Sequence, residues 1–246
     1  MRGRGFTLIE LVVTLLVLAI LTLAISGFIS MGADGYVSTV QRERLQTKAR
    51  FVIARMAQEL RHAVPNSIDV SGNCVSFYPN FLSGFYTDIA SSSVDVVSRP
   101  GDASFWMDSS YVDGAGIAIG FGVPSQFATA ALVNGAGTMV SASTPINLPT
   151  SGSVSTTSPA ERIYLFSEQV QFCLRTTDSV LVRVGDGVSV TDAVPVLSRD
   201  VVSAAFSVEG GGLNSNGLVN FYIELQDDRT GETAKFNHSV QVLNVL

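Results

Sequence analysis

Charge is scarce in this chain. Asp, Glu, Lys and Arg make up 15% of its 246 residues, well below the usual quarter. Lys and Arg number 15 against 21 Asp and Glu, a formal net charge of -6. That balance argues against a protein-wide nucleic-acid footprint, which needs clustered basic residues. Histidine occurs only as His62 and His238. There is no H-E-x-x-H pair, no Walker loop and no G-x-S-x-G elbow. The stretch Gly114-Ala115-Gly116-Ile117-Ala118-Ile119-Gly120 has the wrong spacing for a dinucleotide loop and reads as a turn and a strand. Asp227, Asp228 and Glu232 lie close together but lack the twelve-residue calcium-loop spacing. These absences leave no catalytic residues, no cofactor and no metal to expect, and hence no enzyme.

Cysteine is nearly absent too. Cys74 and Cys173 belong to no C-x-x-C pair, and two cysteines alone cannot build a structural zinc site. If the bulk of the chain is exported they are candidates for one disulfide. Two unpaired buried thiols are the other reading.

What the chain does have is concentrated at its start. From Leu11 to Ala33 no residue is charged, 33 − 10 = 23 positions. A helix rises about 1.5 Å per residue, so the run exceeds the roughly 30 Å hydrocarbon core and reads as a membrane span. Arg2 and Arg4 precede it and Asp34 is the first charge after it, which predicts a cytoplasmic N-terminus with the remainder outside. A cleaved secretory signal would have a shorter apolar core and an A-x-A-like site; Ala24–Ser30 offers small residues without such a site. Glu10 is the anomaly, because it follows the apolar Phe6, Leu8 and Ile9. A carboxylate near lipid costs several kcal/mol and normally faces a partner.

After Gly35 the pattern becomes amphipathic. Tyr36, Val40, Leu45, Ala49, Val52, Ile53, Met56, Leu60 and Val64 recur mostly at spacings of three and four, with charges on the other faces. Pro65 should stop the helix, predicting one rod from about Phe6 to Val64, bent near Gly27–Gly35. Glu43 and Glu59 interleave the basic residues of Arg42–Arg61, so that face reads as solvated rather than as a nucleic-acid surface.

The remainder is rich in Ser, Thr, Val and Gly, which suits short strands. Candidates are Ser67–Val70, Cys74–Tyr78, Gly116–Phe121, Ala130–Val133, Arg162–Ser167, Val170–Arg175, Ser179–Val184, Val201–Val208, Leu218–Leu225 and Lys235–Val245. Turn residues separate many of them, among them Gly185-Asp186-Gly187, Gly210-Gly211-Gly212 and Asn214-Ser215-Asn216-Gly217. The last two strands read as a hairpin. Residues 91–158 shift to Ser, Gly, Ala, Thr and Pro and read as a loop-rich insertion. No clear linker is visible, so helix and sheet are expected to share one core.

The segment Gly5-Phe6-Thr7-Leu8-Ile9-Glu10, after a basic leader and before a long apolar helix, resembles the class III signal of type IV pilins and pseudopilins. The resemblance implies an α+β, pilin-like fold, with a long N-terminal helix packed on antiparallel sheet. It implies cleavage between Gly5 and Phe6 by a prepilin peptidase, N-methylation of Phe6, and retention of the helix. It further implies that Glu10 meets the terminal amine of a neighbouring subunit, since a buried carboxylate is tolerated only when paired. The resulting parts are a leader (1–5), a membrane and filament-core helix (6–35), its amphipathic half (36–65) and a β-rich globular region (66–246). Many major pilins carry a helix-distorting proline where this chain has Gly27.

Arg55–Ser67, Cys74–Pro79, Arg162–Phe166 and Val170–Leu174 are similar to the MshO-type minor pilins of mannose-sensitive haemagglutinin pili. J-type pseudopilins of type II secretion are a related alternative, and a tip adhesin a further one. The expected role is a non-enzymatic subunit that primes or caps a pilus. Its expected partners are other minor and major pilins, the prepilin peptidase and the inner-membrane assembly platform. Its expected place is the inner membrane, with the C-terminal region periplasmic, and then the pilus.

Overall fold

The computed structural model describes residues 5–140, 145–185, 187–191, 193–209 and 217–242. Most of the predicted leader, Asp186, the turn residues Gly210–Gly212 and Asn214–Asn216, and the end of the last predicted strand at 243–245 lie outside the described residues.

Helix α1 spans Leu8–Arg61, 54 residues, about 80 Å of rod. It continues through Gly27, Gly32 and Gly35, where no neighbouring group crowds the missing side chain. It ends before Pro65, with the N–H of His62 donating to the Glu59 carbonyl and the N–H of Ala63 to the Leu60 carbonyl. Its first half is exposed throughout, and it is long and apolar enough to cross a membrane. Its second half buries Gln41, Leu45, Ala49, Val52, Met56, Ala57 and Leu60. The predicted stripe therefore starts later than expected: Tyr36 is 72% exposed.

After the helix come β1 (Asp69–Ser71), β2 (Cys74–Phe77), β3 (Asn80–Ile89) and β4 (Ser93–Val97). Two short helices follow, α2 (Ala103–Trp106) and α3 (Ser109–Val112), then β5 (Gly116–Ala118), β6 (Thr138–Met139) and β7 (Ile146–Pro149). The chain continues through β8 (Arg162–Phe166), β9 (Val170–Arg175), β10 (Val180–Gly185) and β11 (Val196–Ser198). It closes with β12 (Val201–Glu209), β13 (Gly217–Gln226) and β14 (Thr233–Val242).

All pairings are antiparallel, in three sheets: β1-β2-β9-β10-β11, β12-β13-β14 and β5-β8-β3-β4-β7-β6. The architecture is α+β and pilin-like, a long N-terminal helix on antiparallel sheets. β13 and β14 form the expected hairpin, in register from Gly217–Val242 to Gln226–Thr233. The segment read from composition as loop-rich carries β4, α2, α3, β5, β6 and β7. Its strands are short and its loops long, which is why composition hides them. Ala130–Val133, read as a strand, makes only isolated bridges through Leu132 and Val133.

The expected core shared by helix and sheet is present, but it does not include the six-stranded sheet. One buried cluster joins the helix stripe (Leu45, Val52, Met56, Leu60) to Phe77, Phe172, Phe221 and Ile223 of the five- and three-stranded sheets. A second lies within the six-stranded sheet and its short helices, around Trp106, Val96, Ile117, Leu148, Ile163 and Leu165. The helix stripe is about five turns long and is used up by the first two sheets. The six-stranded sheet covers its apolar face with α2, α3 and its own loops instead. Val64, Ala118, Phe127 and Phe166 form a third, smaller cluster near the helix exit.

Candidate functional site

The N-terminal segment has a simple geometry. Gly5 and Phe6 precede the helix, and Thr7 caps it in extended conformation (φ -86, ψ 149) without a side-chain hydrogen bond. The peptide between Gly5 and Phe6 is therefore non-helical and exposed, the state a peptidase needs. A Cβ built on Gly5 meets nothing within 4 Å. The chain's own packing sets no requirement for glycine there, so any such requirement comes from a partner's binding groove.

Glu10 lies in the first turn of α1, where the helix dipole favours an anion. It is exposed and makes no ion pair or hydrogen bond with any described residue. Around it Phe6, Leu8 and Ile9 are 70%, 82% and 67% exposed. Apolar surface on this scale marks a surface built to be covered by lipid or protein.

The other predicted residues lie far along the chain. Cys74 and Cys173 stand directly opposite each other on β2 and β9 and are joined by a disulfide, with Cα atoms 4.1 Å apart. Cys173 is buried against Val180, Val182 and Val184. His62 caps the C-terminal end of α1, and His238 lies beside the Phe221 ring at 5.4 Å. In the β13–β14 turn, Asp227 Oδ1 accepts the backbone N–H groups of Arg229 and Thr230, at 3.0 and 2.9 Å. Those bonds hold its carboxyl below the usual aspartate range, the Thr230 N–H contributing most. Glu232 accepts from Arg42 Nε at 2.8 Å.

Sequence reading missed the charges that dock the helix. Arg183 Nε donates to Glu59 Oε2 at 2.9 Å, and Arg55 Nε lies 2.7 Å from Glu59 Oε1. Lys48 pairs with Asp200. The Arg183–Glu59 and Lys48–Asp200 partners are 124 and 152 residues apart, and no local pattern announces them; Arg55 and Glu59 are an i,i+4 pair within the helix.

Residues 1–26 match the family of the prokaryotic N-terminal methylation motif. The N-terminus carries the type IV pilin signature. With the apolar helix, this supports a type IV pilin- or pseudopilin-like protein, anchored in a membrane and assembling with other pilins and the pilus machinery. No curated protein and no solved structure matches the chain.

Proposed function

We propose that the chain is a minor pilin or pseudopilin, a structural subunit rather than an enzyme, that primes or caps a pilus of the mannose-sensitive haemagglutinin type. A prepilin peptidase cleaves between Gly5 and Phe6, and Phe6 is N-methylated. The helix stays in the inner membrane with the globular region in the periplasm until the assembly platform extracts it.

The observation that carries this reading is Glu10, a carboxylate without a partner among the described residues, set among exposed apolar side chains. In a filament those side chains pack against neighbouring helices. The carboxylate then enters a low-dielectric core and must be paired there. The amine freed at Phe6 of an adjacent subunit supplies the pair, and methylation keeps its charge. Glu10 thus acts as a register mark that disfavours wrong axial alignments. The bulk of residues 66–246 favours a tip position, since a shaft of closely packed subunits has less room around each one.

Mass spectrometry of the matured polypeptide tests the reading. The expected first residue is N-methylated Phe6, with the whole helix retained. Glu10→Ala is expected to be processed normally yet fail to enter filaments. An uncleaved chain, or a chain lacking the helix, overturns the proposal.

A further inference from the structure

A cleft of about 630 Å³ opens where the six-stranded sheet meets the five-stranded one. Two short links create it. Tyr78 and Pro79 connect β2 to β3, and Ser167, Glu168 and Gln169 connect β8 to β9. Phe77 faces Val170 on one side of these links, and Asn80 faces Phe166 on the other. One two-stranded ribbon thus passes from sheet to sheet, leaving a concavity beside the links. Such junctions are preferred sites for ligands.

The floor is aromatic. Tyr78 stacks on Phe127 with ring centroids 5.0 Å apart, and the Phe166 ring stands edge-on to Tyr78 at 5.0 Å. At the rim Phe81 and Tyr111 meet edge-to-face at 5.4 Å, and Tyr111 is 43% exposed. Three charged side chains also line the cleft: Asp113, Glu168 and Arg183. Arg183 is already matched, because it donates to the half-sequestered carboxylate of Glu59. Among the described residues Asp113 accepts one N–H, from Gly135 to Oδ1 at 2.7 Å, which leaves its charge uncompensated and Oδ2 without a partner there. Glu168 is exposed and has no hydrogen bond or ion pair among the described residues. The unmatched charge of the cleft is therefore negative, and it sits beside exposed ring surface.

We propose that this cleft binds a ligand presenting an organic cation on an apolar stem, the chemistry of a lysine or arginine side chain. The ammonium or guanidinium lies between the carboxylates of Asp113 and Glu168. The stem lies along the rings of Phe81 and Tyr111, where a cation is also drawn to the aromatic face. Carboxylate bonds to a cation are stronger than bonds between neutral groups. A neutral sugar would leave both carboxylates uncompensated, and an anion would be repelled. This inference does not depend on the filament reading, since no residue of the cleft lies in α1.

The test uses the full chain in detergent micelles and a fluorescent hexa-arginine peptide, followed by anisotropy. Maltohexaose and a hexaglutamate peptide are the comparison probes. Hexa-arginine is expected to bind saturably, and more weakly as ionic strength rises. Asp113→Asn combined with Glu168→Gln is expected to weaken it about five- to tenfold, as two exposed charge pairs would. Asparagine keeps an oxygen for the Gly135 N–H. Tyr111→Leu is expected to weaken it about two- to fivefold. Glu43→Gln, the same charge change on the exposed face of α1, is expected to leave binding unchanged. Circular dichroism checks each fold, and Glu168→Gln alone, at an exposed link residue, carries the test if Tyr111→Leu unfolds. The proposal is overturned if hexa-arginine fails to saturate, if Glu43→Gln weakens it as much as Glu168→Gln, or if maltohexaose binds instead.

Discussion

A few glycines show how single positions shape the fold. A Cβ on Gly116 would overlap the Phe166 ring. That ring has little room to retreat, because Phe166 is 5% exposed and packs 5.2 Å from Phe127. Gly120 has φ +62 and lies against the Thr157 carbonyl, so both backbone and space demand glycine there. Gly122 has nothing within 4 Å. Gly116→Ala is therefore expected to destabilise the chain by about 1–3 kcal/mol, as overpacking does. In a thermal melt this lowers Tm by roughly 2–4 °C per kcal/mol. Gly122→Ala is expected to shift stability by no more than about 0.5 kcal/mol. Sequence reading took Gly114–Gly120 as turn and strand, which matches β5 and its flanks. It gave no sign that Phe166 closes over the site, because that contact spans fifty residues.

Among the elements, α1 has two environments. Its second half is fixed to the sheets by the stripe from Leu45 to Leu60 and by the pairs of Glu59 with Arg183 and of Lys48 with Asp200. Its first half is left exposed by the described residues. The β13–β14 hairpin meets the helix through Glu232 and Arg42, and its turn depends on Asp227. The Asp227 carboxyl titrates below its ordinary value because the ionised form accepts N–H bonds from Thr230 and Arg229. A group whose folded pKa is depressed stabilises the fold above its unfolded pKa, about 3.9, and loses that contribution as pH falls through the folded value. Asp227→Asn is accordingly expected to open the turn at neutral pH and to differ progressively less from the parent as pH falls below the ordinary aspartate value. Amide hydrogen exchange at Thr230 and Gly231, measured across that range, checks it. If the two proteins differ equally at every pH, the carboxylate is not the cause.

For the molecule as a whole, the six-stranded sheet is spliced into the five-stranded one. It occupies residues 80–166, between β2 and β9, which Cys74 and Cys173 join across a separation of 99 residues. The disulfide therefore closes a loop that contains the whole second core. Cross-linking a loop of that length restricts the unfolded chain and typically contributes about 2–4 kcal/mol. Replacing both cysteines by alanine is expected to lower the denaturant midpoint by a corresponding amount. Reductant should reproduce the shift in the parent and leave the variant unaffected. An unchanged midpoint would mean that sheet pairing alone sets the unfolded ensemble.

The sequence by itself determined what depends on near neighbours. The uncharged run from Leu11 to Ala33 and the stop at Pro65 are enough to specify a long helix, and Gly5-Phe6-Thr7-Leu8-Ile9-Glu10 is enough to mark its start. Most strands along Cys74–Phe77 and from Arg162 to Val242 were legible because alternating apolar residues and turn signals are local. Only the tertiary structure decided how those strands sort into three sheets, that residues 91–158 supply strands to one of them, and that Tyr111, Asp113 and Glu168 line one cleft. Those outcomes rest on strand pairings tens of residues apart. Such pairings are selected by which faces can be buried together, and no short window of sequence contains both faces.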